Sequence, residues 1–223
     1  MSKSSGLSQE YIDNIEKSLN VKITVDRAPW IRCLKEMERG QVDGVLNGSF
    51  KEDRLVYGAY PTTADGKVDP SKSTSVGSYY LYVLKTNQNI KWDGKSITGL
   101  QKPIMITLGY SIKKKLVDEF KVAVVEKNIP AAKQFELMLA GDVDGVAGQE
   151  FRTDHILKMD DFLSNKIVKL NPPLESKPYY LLLSHQLLKS NPQLANGIWD
   201  IIKVTRESQE FKDKMEKFMM SAN

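Results

Sequence analysis

The chain has 223 residues, enough for one large domain or two small lobes, and its 41% apolar and 27% charged residues are those of an ordinary soluble globular protein. Its formal net charge is +4, from 32 Lys plus Arg against 28 Asp plus Glu, and the lysines are scattered with no basic stripe, which argues against nucleic acid as a partner. The single cysteine, Cys33, excludes an internal disulfide and a cysteine-based zinc site, and no stretch approaches the roughly 20 apolar residues that cross a membrane. There is no signal peptide; Met1 to Gly6 reads as an appended start and says nothing about compartment.

In chain order, Ser8 is expected to cap a helix with Ile12, Ile15 and Leu19 on one face, and the alternation Val21, Ile23, Val25 predicts a half-buried strand. Ala28-Pro29 breaks it. Trp30, Cys33, Leu34 and Met37 then fall at i, i+3, i+4 and i+7, the stripe of a helix stopped by Gly40. A strand from Val42 to Leu46 opens into Asn47-Gly48-Ser49. Pro61 to Ser78 is a polar excursion rich in turn residues. Strands follow at Tyr79 to Leu84 and Ile104 to Leu108. The second ends at Gly109-Tyr110-Ser111 before a helix through Leu116, Val117 and Phe120, and a strand-glycine turn-helix unit suits a phosphate or carboxylate.

Val122 to Val125 predicts another strand, and Pro130 the first residue of a helix that buries Ala131, Phe135, Met138 and Leu139 and ends at Gly141. Here the chain repeats itself. Cys33 to Phe50 and Gln134 to Phe151, aligned on Gly40 and Gly141, share Gly-x-Val-Asp-Gly-Val after an amphipathic run. A pair so far apart is unlike a solenoid and points to two related lobes, in each of which a left-handed glycine ends a helix and a buried strand follows. The carboxyl ends of such strands are where ligands sit in open α/β sheets.

After the second copy come a helix around His155, a strand Lys166 to Leu170, the break Asn171-Pro172-Pro173, and Lys177 to Leu183, whose paired tyrosines echo Tyr79-Tyr80. Two helices close the chain, one begun by Asn191-Pro192 with Leu194, Ile198, Ile201 and Ile202 inward, the other begun by Ser208 with Phe211, Met215, Phe218 and Met219 inward. The chain would cross twice between lobes, through Tyr79-Tyr80 and Tyr179-Tyr180, and a double crossing is a hinge. The expected division is lobe 1 from 1–78 and 184–223, lobe 2 from 85–175, and hinge strands at 79–84 and 176–183.

Paired-tyrosine hinge strands, a Gly-x-Val-Asp-Gly strand in each lobe, Ser49-Phe50-Lys51-Glu52-Asp53-Arg54 after the first, and two closing helices resemble the type II periplasmic solute-binding proteins, family 3, associated with polar amino acid uptake through ABC transporters. The resemblance runs from Gly6 to Phe218. It implies a two-lobed α/β fold with a ligand cleft between lobes, a periplasmic monomer without catalytic residues, metal or cofactor, a small-molecule ligand, and a membrane ABC permease as partner.

It also implies a site. Ser49 and Arg54 match the family's serine and carboxylate-clamping arginine, a task that suits the planar guanidinium fork. Trp30 matches a cleft wall, Arg32 a second cation, and Asn47 and Gly48 lead into Ser49. Gly109, Tyr110 and Ser111 match the turn that holds the same carboxylate, and Tyr79, Tyr80, Tyr179 and Tyr180 the aromatic hinge positions. The chain departs from the pattern in two places. Gln149 stands where amino acid binders carry an aspartate for the ligand ammonium, and an amide brings no full charge, so a ligand without an α-ammonium fits better. Glu150 beside it, read as a strand neighbour, would point to the other face. The family's opening strand does not precede Ser8. Sensor domains of signalling receptors share the fold, as does a dehydratase, for which Glu150 is the candidate acid and His155 and His185 lack a paired carboxylate motif.

Overall fold

A computed structural model of the chain describes residues 7–222, apart from the side chains of 218–222. Met1 to Gly6, read above as an appended start, lie outside the described residues, as do the Phe218 and Met219 side chains assigned to the last helix's buried face. The elements are α1 (Leu7–Leu19), α2 (Trp30–Glu38), β1 (Gly44–Ser49), β2 (Ser75–Leu84), β3 (Lys91–Trp92), β4 (Ile97–Thr98), β5 (Ile104–Thr107), α3 (Ile112–Lys114), β6 (Val124–Lys127), α4 (Ala131–Leu139), β7 (Gly145–Gln149), α5 (Glu150–Lys158), α6 (Asp161–Lys166), β8 (Ile167–Leu183), α7 (His185–Ser190), α8 (Pro192–Glu207) and α9 (Gln209–Ala222). They form two compact units, Met1–Val76 with Pro178–Asn223, and Gly77–Lys177. The chain passes from one unit to the other inside β2 and again inside β8.

In the first unit, α1 buries Tyr11 and Ile15 against Ala195, Ile198, Trp199 and Ile202 of α8 and Phe211 of α9. Asn191 caps α8 by accepting the Leu194 N–H at 3.1 Å, with Pro192 in the first turn, where its missing donor costs nothing. Trp199 Nε1 donates to Leu181 O at 2.9 Å and fastens α8 to the end of β8. The stripe Trp30, Cys33, Leu34 and Met37 of α2 packs on Val45, Tyr60, Tyr180 and Leu182. β1 runs antiparallel to β8, from Gly44 opposite Leu183 to Ser49 opposite Tyr179.

In the second unit, β7 lies between β2, antiparallel with Tyr79 opposite Gln149, and β5, parallel with Ile104 opposite Gly145; β6 runs parallel on the far side of β5. Phe135 and Met138 of α4 cover this sheet together with Leu163 and Ile167, meeting Tyr82, Met105 and Val146. Because β5 and β7 are parallel, the turn after Thr107 and the end of β7 at Gln149 share one edge, and the antiparallel register brings Tyr79 to it.

The two halves of the repeat end their helices in the same way. Gly40 has φ 67 and Gly141 φ 78. Gly40 N–H donates to Met37 O at 3.0 Å and Gln41 N–H to Glu36 O at 2.9 Å; Gly141 N–H donates to Met138 O at 3.0 Å and Asp142 N–H to Leu137 O at 2.9 Å. This pair of bonds is the Schellman cap, and it needs a left-handed residue. Gly141→Ala is therefore expected to cost about 1–2 kcal/mol of stability in denaturant unfolding, the penalty for an L side chain in that conformation. Its added Cβ meets only the Lys102 side chain at 3.7 Å, and at Gly40 the 2.9 Å approach is to the end of the exposed, flexible Gln186 side chain, so Gly40→Ala is expected to cost about the same.

Several local expectations change. Val21 to Val25 is not a strand: Asn20 turns at φ 51, and the Val21 and Ile23 N–H groups return to Glu16 O at 3.3 Å and Glu16 Oε1 at 2.6 Å, so their donors are spent on α1. The strand expected from Val42 begins at Gly44, and the one expected from Val122 begins at Val124. The two strands expected on either side of Asn171-Pro172-Pro173 are one, β8. Proline removes a ladder donor but keeps its carbonyl, and Pro172 O accepts from Trp92 Nε1 at 2.6 Å. Pro130 precedes α4 as its N-cap because its ψ of 149 is extended. The helix expected after Ser111 has only three α residues before a π turn at Lys115–Glu119, closed by Phe120 N–H to Lys115 O, which leaves Val117 exposed. Met215, expected inward, is 40% exposed.

Candidate functional site

In the first unit several candidate residues surround a buried cation. β1 ends at Ser49, 1% exposed, and a short 3-10 turn at Glu52–Arg54 brings Arg54 back over it, 5% exposed. Arg54 Nη1 donates to Ser49 O at 2.7 Å and to Ser49 Oγ at 2.9 Å, which fixes the plane of the guanidinium. Its Cζ stands 4.9 Å from the centroid of the Trp30 ring, a cation–π distance. The buried Trp30 Nε1 has no hydrogen-bond partner. A desolvated guanidinium held in one plane is chemically able to receive an anion without reorganising.

Tyr60, which sequence reasoning missed, belongs to this group. Its hydroxyl donates to Ser49 O at 2.7 Å, its ring meets Phe50 and Tyr180 edge-on at 5.2 and 5.7 Å, and burial pushes its phenol up to about 12 against the pull of Arg54. It therefore stays a donor. Tyr60 carries no motif; only its aromatic character in the Tyr57 to Tyr60 stretch hinted at a core role. Asn47 is exposed at φ 65 beside the register shift of β1, and Gly48 is buried where an added Cβ would come to 2.2 Å from Leu182. Tyr179 is buried, and its carbonyl accepts from Thr74 N–H at 2.8 Å. Arg32 is not brought to this group. It lies off the buried stripe of α2, mostly exposed, in an i,i+4 ion pair with Glu36 at 2.6 Å.

The second unit gathers Tyr79, Tyr110, Ser111 and Gln149 at the shared edge of β5 and β7. Tyr79 is 2% exposed, packs edge-on against Tyr110 at 6.0 Å, and has Lys177 Nζ 5.7 Å from its ring centroid. Ser111 is 5% exposed and begins α3 without a side-chain cap. The turn itself differs from the expected carboxylate cradle, because Glu126 Oε1 already accepts the Gly109 N–H at 3.2 Å and Tyr110 N–H donates to Thr107 O at 3.1 Å. Sequence reasoning also missed Arg152, whose Nη1 donates to the Tyr110 hydroxyl at 3.1 Å.

Gln149 is the residue before α5, and Glu150 is that helix's first residue, not a strand residue as expected. Glu150 and Asp154, one turn apart, both meet Lys169 Nζ, at 3.0 and 2.5 Å, above the Tyr80 ring at 4.6 Å. Burial works against the charge on Lys169, but hydrogen bonds and charge from Asp154 and Glu150 outweigh it and raise its pKa. Asp154 also accepts from the buried Tyr82 hydroxyl at 2.6 Å. Both histidines are exposed; His185 reaches Leu55 O at 2.8 Å. Among the described residues no cluster of three His, Cys, Asp or Glu is placed to hold a metal, and no helix is long and apolar enough to cross a membrane. A cavity of about 330 Å³ in the second unit, lined by residues including Leu100, Lys102, Phe120 and Lys121, contains none of the candidate residues.

No protein-family profile and no curated protein matches the sequence. Solved structures do match over nearly the whole chain. An ancestral arginine-binding protein bound to glutamine superposes with a TM-score of 0.72 at 18% identity, covering 95% of this chain and 86% of its own. The substrate binding protein of an amino acid ABC transporter gives 0.70 at 15%, covering 97% and 91%. The arginine-, lysine-, histidine-binding protein ArtJ from Geobacillus stearothermophilus gives 0.71 at 14%, covering 97% and 87%. The chain has the mixed α/β fold of the substrate-binding proteins of amino acid ABC transporters.

Proposed function

We propose that the chain is an extracytoplasmic, non-enzymatic solute-binding protein of the family 3 type, which captures a small carboxylate-bearing, amino-acid-like solute and delivers it to an ABC permease. The observation that carries this reading is Arg54, buried yet held by Ser49 and Trp30 in one orientation. The first unit supplies the carboxylate clamp, with Trp30 against the solute's apolar part; the second supplies Tyr79, Tyr110, Ser111 and Gln149. A solute closes the lobes only by its preference for the closed state, and two or three charge-assisted hydrogen bonds of about 1.5–3 kcal/mol each are enough where open and closed differ by a few kcal/mol.

The test is a thermal-shift screen over α-amino acids, dicarboxylates and polyamines, because a ligand that binds the folded state raises the melting temperature by mass action. A carboxylate-bearing solute is expected to raise it, polyamines are not, and NMR of the mixture is expected to show the solute unchanged. Stabilisation by polyamines alone, or conversion of the solute to product, would overturn the reading.

A further inference from the structure

The chain has three tryptophans, and two of them spend the indole N–H on a backbone carbonyl. Trp92 Nε1 donates to Pro172 O at 2.6 Å and Trp199 Nε1 to Leu181 O at 2.9 Å. Trp30 Nε1 is buried without a partner, and among the described residues no other buried side-chain nitrogen or oxygen is left so. A donor in that position has given up water and received nothing for it, and native folds retain very few.

The group around this indole, all of it in the first unit, is rich in donors and short of acceptors. The Arg54 guanidinium stands 4.9 Å from the ring centroid, and the ring packs on the cluster that contains Tyr60. Ser49 O accepts from both Arg54 Nη1 and the Tyr60 hydroxyl, at 2.7 Å each, which uses both of its lone pairs. Ser49 Oγ accepts from Arg54 at 2.9 Å. Trp30 is also the one indole of the three that is not sealed in a core: it is half-buried, whereas Trp92 and Trp199 are 8% and 4% exposed. A small molecule can approach this ring, and the chemistry the ring lacks is an acceptor.

We infer that Trp30 is a specificity-determining donor whose Nε1–H is completed by a carboxylate or amide oxygen of the solute. This rests on the solute-binding reading and deepens it, since the indole then selects an oxygen by a hydrogen bond as well as covering apolar surface. A donor already stripped of water has no hydration left to lose on binding, so the bond gains more here than it would at an exposed position. A solute with a methyl group at that point leaves the N–H unpaired, and one with an ammonium meets it donor to donor. Both are disfavoured.

The test places benzothienylalanine at position 30 of the full chain by nonsense suppression, which keeps the shape of the indole and replaces its N–H by sulfur. Succinate, glutarate, L-aspartate, L-glutamate and L-glutamine are titrated by calorimetry into wild type and this variant. The same probes are added to isotope-labelled wild type in NMR, where the Trp30 indole signal is identified by its loss in Trp30→Phe. At least one probe is expected to bind wild type and to move the Trp30 indole proton downfield, the direction of hydrogen-bond formation. The benzothienyl variant is expected to bind that probe about tenfold or more weakly. Its unliganded melting temperature is expected to equal or exceed that of wild type, because it buries no unpaired donor. Binding that the benzothienyl variant retains in full, or that leaves the Trp30 signal in place, would overturn the inference while the solute-binding reading stands. Binding of none of the probes would overturn both.

Discussion

Arg54→Ala is expected to abolish the rise in melting temperature that a carboxylate solute produces and also to destabilise the unliganded protein by about 2–3 kcal/mol, the range for losing hydrogen bonds to a charged group in a buried place. The two effects have separate origins. Ser49 O keeps the Tyr60 hydroxyl at 2.7 Å when Arg54 is removed, but Ser49 Oγ loses its Nη1 donor, and the Trp30 ring loses the guanidinium that stands 4.9 Å from it. The variant therefore unfolds earlier even if no solute ever binds. Arg54→Lys separates the terms. A lysine restores positive charge but not two coplanar donors, so it is expected to return part of the unliganded stability and little of the binding. Measurement is by denaturant unfolding without solute and by thermal shift with it. A solute-induced shift in Arg54→Ala equal to that of wild type would remove Arg54 from the site and leave it a core residue.

How much of this was legible in the residues follows from the range of the interaction involved. The Schellman caps at Gly40 and Gly141 were readable because glycine, helical stripe and strand are contiguous, and the rules that join them are local. So was the stripe of α2. The fate of Val21 to Val25 was not, because its alternation is that of a strand, and only the return of its donors to Glu16 decides against one. Arg32 and Arg54 look alike as letters in the sequence; α2 turns one to solvent beside Glu36, and the 3-10 turn buries the other. Tyr60, Arg152 and Lys169 escaped notice because their importance lies in partners many residues away: Ser49, Tyr110, and the pair Glu150 and Asp154. Glu150 was misplaced by a single residue, and that residue marks the change from β7 to α5.

Gln149→Asp is expected to turn the second unit towards solutes that carry an ammonium. A carboxylate at that position offers an ammonium a charge-assisted partner worth about 1.5–3 kcal/mol, so α-amino acid binding should tighten by roughly tenfold to a hundredfold, and dicarboxylate binding should weaken through like-charge repulsion. Two local effects oppose a clean result. Position 149 precedes α5 with φ −69 and ψ 124, and Gln149 makes no side-chain cap there, so an aspartate is also suited to capping the helix, which stabilises it by about 1 kcal/mol. Arg152 is three residues on and would attract the same carboxylate. Each leaves its own trace. Capping raises the unliganded melting temperature without changing any affinity; pairing with Arg152 masks the new charge and leaves amino acid binding unstrengthened; and the double variant Gln149→Asp with Arg152→Gln removes that pairing. Gain of amino acid affinity in the double variant places position 149 against the solute's ammonium. Unchanged amino acid affinity in both variants would show that β7 does not direct this residue at the solute, and the correspondence of Gln149 with the family's aspartate would be lost with it.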